Sequence, residues 1–140
     1  MTDEVLEIVL VEDDPDFAEL YRWRLELDGY LVRVAATGRA GLEAIKENPP
    51  DLVYLDMRLP ELDGLEVLEQ LRADPATATL PVVVLSNYDE PELRQRAIAL
   101  GVLEWLVKAD VTPARLGKHT IEFILGARSS RKREPSNLVD

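Results

Sequence analysis

The stretch Asp51-Leu-Val-Tyr-Leu-Asp-Met-Arg-Leu-Pro60 decides how the chain folds. Residues 52–55 read as a short strand, which runs out on a carboxylate, Asp56, before a loop carrying Pro60 and Gly64. Downstream, Leu65, Leu68 and Leu71 recur at helical spacing until Asp74-Pro75 closes that helix. Pro81-Val-Val-Val-Leu85 is nearly all apolar, as a strand covered on both faces should be. A helix over 91–100 stops at Gly101, a fifth strand follows over 102–107, and a last helix is expected over 113–126. Upstream the same alternation holds. Leu6-Glu-Ile-Val-Leu-Val11 is a strand candidate, and a helix follows to about Asp28, with Asp14 as N-cap and Pro15 as its first residue. Its expected core side chains are Phe17, Leu20, Tyr21 and Leu25, and Gly29 ends it. Residues 30–36 make a second strand and 38–47 a second helix, stopped by Pro49-Pro50. Five strand–helix units in succession imply an α/β fold, a mostly parallel sheet with helices on both faces.

Composition narrows the function. With 140 residues, 27 acidic against 16 basic side chains and a net charge of −11, one domain with a proper core is expected. The absence of cysteine removes disulfides, Cys-ligated zinc and thiol catalysis together. The negative balance opposes direct binding to a nucleic-acid backbone, which wants Lys and Arg. No apolar run approaches the roughly 18 residues of a membrane span, and the acidic start lacks a secretory profile, so a cytoplasmic protein is expected. Residues 128–140 carry a local charge of +2 and read as a flexible basic tail behind a domain over 1–127.

In sheets of this kind ligands bind beyond the carboxyl ends of the strands. Glu12, Asp13 and Asp14 follow the first strand, Asp56 the third, Ser86 the fourth and Lys108 the fifth, so carboxylates, a hydroxyl and an ammonium share one rim. Two carboxylates about 4 Å apart repel by roughly 4 kcal/mol at an effective dielectric near 20, so such a cluster calls for a cation or raised pKa values. The single histidine, His119, lies in the last helix and belongs to no cluster. An all-oxygen donor set favours Mg²⁺ over zinc or copper. Asp56 then has the role of a nucleophile forming an acyl phosphate, with Lys108 and the Ser86 hydroxyl meeting the remaining phosphoryl oxygens. Asp14 is better read as a helix cap.

With the pair Glu12-Asp13, Asp56 followed by Asp63-Gly64, Leu80-Pro-Val-Val-Val-Leu-Ser86 and Trp105-Leu-Val-Lys108, in that order, the chain resembles a response-regulator receiver domain of two-component signalling over roughly residues 5–127. The resemblance implies a doubly wound five-stranded parallel sheet, flavodoxin-like order 2-1-3-4-5, with five helices. It implies phosphoryl transfer to Asp56 from a histidine kinase or histidine phosphotransfer protein. It also implies Mg²⁺ bound by Asp13, Asp56 and the backbone carbonyl of Arg58, with Glu12 acting mostly through water. Ser86 and Trp105 match the switch pair, the hydroxyl moving toward phosphate as the ring turns inward. The output would be a changed surface on the fourth helix, fifth strand and fifth helix, offered to a downstream protein or a second copy of the chain. Such a protein is an interaction module rather than a turnover enzyme.

The chain departs from the family pattern at Ala109, where a proline, often in a cis bond, usually follows the lysine; the connection Ala109-Asp-Val-Thr-Pro113 is also one residue longer. Asn87, Arg58 and the large Trp105 are further departures. Trp23 and Leu27 fall off the expected core stripe of the first helix and are a candidate docking patch for a kinase helix. Rival readings are a phosphate-independent pseudo-receiver and a receiver fragment of a longer regulator. An aspartyl-phosphate hydrolase would be expected to place a nucleophile-plus-acid pair after the first strand as Asp-x-Asp, whereas here Glu12-Asp13-Asp14 are contiguous and Asp56 follows the third strand. A nucleotide binder would want a glycine-rich phosphate loop, and neither G-x-G-x-x-G nor G-x-x-x-x-G-K occurs.

Overall fold

The computed structural model describes residues 4–139, with side chains through Ser130. Five strands, β1 (Glu7–Val11), β2 (Leu31–Ala35), β3 (Leu52–Leu55), β4 (Val82–Ser86) and β5 (Glu104–Val107), form one sheet in the order β2-β1-β3-β4-β5. All four pairings are parallel. The connecting helices are α1 (Pro15–Leu27), α2 (Gly38–Glu47), α3 (Gly64–Ala73), α4 (Pro91–Ala99) and α5 (Pro113–Val139). The order agrees with the sequence: β3 and β4, the most uniformly apolar strands, are buried at every position, whereas β2 leaves Leu31 and Val34 exposed at an edge.

Strand alternation sorts the core into two layers. Ile8, Leu10, Leu52 and Tyr54 point to one face and pack with Tyr21 and Leu25 of α1 and Leu116 and Ile124 of α5. Val9, Val11, Val53 and Leu55 point to the other and meet Ile45 of α2, Leu68 and Leu71 of α3 and Ala97 of α4. The buried Tyr54 hydroxyl lies 2.6 Å from Thr120 Oγ1, which itself donates to the Leu116 carbonyl, so no polar group is stranded between β3 and α5.

Two expectations change. Leu20 is 50 % exposed; Ala18, Tyr21 and Leu25 make the buried row of α1 instead. A helix advances 100° per residue, so of two adjacent apolar residues, Leu20 and Tyr21, the sheet takes one and solvent the other. The last helix also runs on past Gly126 to Val139, through most of the segment read as a tail. Gly126 carries no positive φ, and a Cβ there would meet open space, so it is an interior helix glycine rather than a stop. Arg128, counted in that tail, is paired with Glu4 at 3.2 Å and Asp51 at 3.1 Å. Side chains from 131 onward, and the flexibility expected of them, lie outside the described residues. Among the described residues no helix is long and apolar enough to cross a membrane.

Candidate functional site: a carboxylate cluster closed by a lysine

Strand register brings the site together. Val11 of β1 pairs with Leu55 of β3, so the next residues, Glu12 and Asp56, leave adjacent strands side by side. Their amides are held by the Ala35 and Val11 carbonyls at 2.9 and 3.0 Å, which extends the ladders under the carboxylates. Ser86 pairs with Val107 in the same way and sets Lys108 one residue beyond. Behind Asp56 the chain turns tightly. The Gly64 amide donates to the Met57 carbonyl at 3.0 Å, and a Cβ on Gly64 would stand 2.3 Å from the Asp56 carbonyl oxygen. Only glycine fits there. Asp63 then starts α3 through a capping box with Glu66.

Glu12, Asp13 and Asp56 offer oxygens that lie within 4.8 Å of one another, Glu12 and Asp56 buried and Asp13 exposed. Lys108 closes the cluster: Nζ is 2.6 Å from Glu12 Oε1 and 3.1 Å from Asp56 Oδ2, with all three side chains no more than 8 % exposed. Asp56 Oδ1 accepts from the Arg58 amide at 3.1 Å, and Glu12 Oε2 from the Asp14 amide at 3.1 Å. Burial pushes the Glu12 carboxyl up to about 7, against the pull of Lys108. Burial lowers the lysine pKa, but its contacts with Glu12 and Asp56 outweigh that and leave it raised. Three acids against one ammonium leave the cluster net negative, with an exposed carboxylate at its mouth. The donor set is all oxygen and geometrically convergent, and it fits a hard divalent cation such as Mg²⁺.

Asp14 is the N-cap of α1, accepting from the amides of Asp16 and Phe17. Ser86 is fully buried, and its Oγ accepts from the Tyr88 amide at 3.3 Å. The Trp105 ring, 6 % exposed, already lies inward, its indole N–H donating to the Tyr88 carbonyl at 3.2 Å. Both members of the expected switch pair thus hold the backbone of one residue, Tyr88. The Arg58 side chain reaches across to Glu90 at the start of α4. Among the described residues no peptide bond is cis; Lys108 instead opens a 3₁₀ turn, Lys108–Asp110. His119 lies 3.0 Å from Glu122 on the same helix, away from the cluster. The sequence did not reveal the neighbours of Lys108 on α1, nor Glu90 as the partner of Arg58; the former carried a signal in the aromatic pair Phe17 and Tyr21, one turn apart just after the acidic residues.

A five-stranded sheet in this order, with acids beyond β1 and β3 and a lysine beyond β5, is the arrangement expected of a receiver-type signalling domain. The family described as the response regulator receiver domain matches residues 8–120, and the chain belongs to it. Its members are signalling modules. The chain is 36 % identical over 120 residues to an uncharacterized 14.6 kDa protein from the sodA1 3′ region of Leptolyngbya boryana, covering 86 % of this chain and 91 % of that one. It is 33 % identical to the phosphate regulon transcriptional regulatory protein PhoB of Rhizobium meliloti, over 79 % of this chain but 49 % of PhoB. It thus spans about half the length of that relative. Among solved structures, the CheY-like receiver domain protein of Methanospirillum hungatei superposes with a TM-score of 0.83 at 24 % identity, over 91 % of this chain and 99 % of that one. That likeness speaks for the fold. Chemotaxis response regulator CheY4 of Vibrio cholerae superposes with a TM-score of 0.78 at 26 % identity, over 86 % of this chain and 99 % of CheY4.

Proposed function

We propose that the protein is a cytoplasmic phosphoacceptor of a two-component system or phosphorelay, in which Asp56 takes a phosphoryl group from a histidine donor. The observation that carries this reading is the buried contact of Lys108 with both Glu12 and Asp56 at the mouth of the sheet. A carboxylate oxygen of Asp56 attacks phosphorus, the donor's P–N bond breaks, and an acyl phosphate forms. Glu12, Asp13, Asp56 and the Arg58 carbonyl would hold Mg²⁺, which supplies charge neutralisation on the phosphoryl oxygens. Lys108 moves from carboxylate to phosphoryl oxygen, and the Ser86 hydroxyl turns from the Tyr88 amide to the same group. Because Trp105 also holds Tyr88, release of that loop biases α4 and β5 toward a second arrangement. The altered face of α4, β5 and α5 then meets a downstream protein or a second copy. The test is intact-mass labelling with acetyl phosphate. Hydroxylamine-sensitive phosphate that requires Mg²⁺ is expected; a chain that takes no label at millimolar Mg²⁺ is the phosphate-independent module instead.

The donor's docking face is supported by α1. Leu20, Trp23 and Leu27 are 50, 57 and 63 % exposed and recur on the helix face turned from the sheet. Such an i, i+3, i+7 stripe suits a partner helix. Trp23→Ala is expected to slow transfer from the cognate histidine donor by about ten-fold or more, the effect of losing an aromatic anchor. Labelling by acetyl phosphate should stay at the wild-type rate. Equal slowing with both donors would place Trp23 outside the docking face.

A further inference from the structure

We propose that Phe17 and Tyr21 are positioning residues for Lys108, seating its ammonium and fixing the turn that carries it. The proposal deepens the phosphoacceptor reading and rests on it. Lys108 Nζ lies over the Phe17 ring, 4.6 Å from its centroid. Phe17 is stacked on Tyr21 with centroids 4.1 Å apart and planes inclined by 18°. Tyr21 is buried, and its hydroxyl donates to the carbonyl of Val111. The Val111 amide in turn donates to the Lys108 carbonyl at 3.3 Å, closing the 3₁₀ turn. One aromatic pair therefore meets the ammonium through the Phe17 ring and, through the Tyr21 hydroxyl on Val111, the turn that follows the lysine backbone.

The lysine needs such a seat. Its stem is a flexible four-carbon chain, and the turn at its base has no side-chain cap, with Ala109 and Asp110 exposed. Of the two partners at its tip, Asp56 is the group whose charge changes when a phosphoryl group arrives, with Glu12 beside it. A ring face attracts the ammonium through its quadrupole without claiming any of its N–H groups as a carboxylate would. Phe17 can therefore hold the cation from one side while its hydrogen bonds pass from carboxylate to phosphoryl oxygen. Tyr21 makes the arrangement stiff, because the ring that packs on Phe17 is itself tied to the β5–α5 connection.

The test compares Phe17→Leu, Phe17→Tyr and Tyr21→Phe in the full chain, with acetyl phosphate as donor and Mg²⁺ affinity titrated in parallel. Phe17→Leu keeps an apolar side chain and loses the ring face. Its saturating labelling rate is expected to fall about three- to thirty-fold, with half-saturation by donor and Mg²⁺ affinity unchanged. Phe17→Tyr, which keeps the ring, should restore the rate to within about two-fold of wild type. Tyr21→Phe keeps the stack, loses only the bond to Val111, and should slow labelling by a smaller factor; it decides the matter should Phe17→Leu fail to fold. Wild-type rates in Phe17→Leu and Tyr21→Phe, or a Phe17→Tyr variant as slow as Phe17→Leu, would overturn the positioning role alone. A wild-type chain that takes no label overturns the phosphoacceptor reading, and this proposal with it.

Discussion

Asp56→Asn is expected to take up no phosphate from acetyl phosphate or from a histidine donor while remaining at least as stable as the wild-type chain. The amide has almost the same shape. It keeps an oxygen for the Arg58 amide, which bonds Asp56 Oδ1 at 3.1 Å, and it removes one of three converging carboxylates. Lys108 retains Glu12 at 2.6 Å. The cluster loses a negative charge that burial makes costly, so like-charge repulsion falls rather than rises. No neighbour inherits the chemistry. Asp13 is exposed at the mouth, whereas Glu12 is held by both Lys108 and the Asp14 amide and has its own carboxyl pushed up to about 7. Mg²⁺ should bind more weakly, by the loss of one ligand of the set. Intact mass gives the first quantity and a urea midpoint the second. Labelling of the variant at the wild-type level would remove Asp56 from the role of acceptor. A variant that unfolds would show that the carboxylate is structural.

How much of this was legible beforehand differs by kind of contact. The sheet order followed from a resemblance carried by residues at strand ends, and strand ends are easy to read here because each apolar run stops at a charged or hydroxyl residue. Asp56, Glu12 and Lys108 meet because parallel register puts the residues after Val11, Leu55 and Val107 on one rim. That is a consequence of local pattern plus one topological rule. Leu20 was misplaced because two adjacent apolar residues leave the facing row ambiguous by one helical step. The end of the last helix was misplaced because the segment after 127, with Ser129, Ser130 and Pro135 and no helical apolar period, reads as a tail, and only the backbone shows that the helix runs on. The contact of Phe17 with Lys108 joins residues far apart in the chain through side-chain direction, and the ion pair of Arg58 with Glu90 does the same. The spacing of Phe17 and Tyr21 marks an aromatic pair on one face of α1, but periodicity does not say which distant residue that pair, or Arg58, will meet.

Lys108→Met should destabilise the metal-free protein in a strongly pH-dependent way and slow phosphoryl transfer even when Mg²⁺ is present. Removing one partner from a buried ion pair typically costs about 3–5 kcal/mol, because the other charge stays behind. Here two stay behind, Glu12 and Asp56, each no more than 3 % exposed. Glu12 already has its carboxyl raised to about 7 from 4.5 with the lysine in place. A carboxyl whose folded pKa is raised binds its proton more tightly in the native state. Its penalty is therefore absent below the unfolded value, grows as pH rises, and is complete above the folded value. Without the ammonium the Glu12 carboxyl moves further up, so the variant should come closest to wild type near pH 4.5 and fall increasingly below it through and beyond pH 7. Against a total stability of about 5–15 kcal/mol for a domain of this size, the loss is large but survivable. Mg²⁺ can take the place of the missing charge. At about 100 times its dissociation constant a bound ion returns about 2.7 kcal/mol, so urea midpoints at pH 8 should recover markedly on adding Mg²⁺, more than in the wild-type chain, where ammonium and metal compete for the same oxygens. Transfer does not recover with them, since the metal restores charge balance among the carboxylates but leaves no ammonium to follow the incoming phosphoryl oxygen. A variant as stable as wild type at pH 8 without Mg²⁺, or one labelled at the wild-type rate, would mean that the buried contacts of Lys108 carry neither the stability nor the chemistry assigned to them.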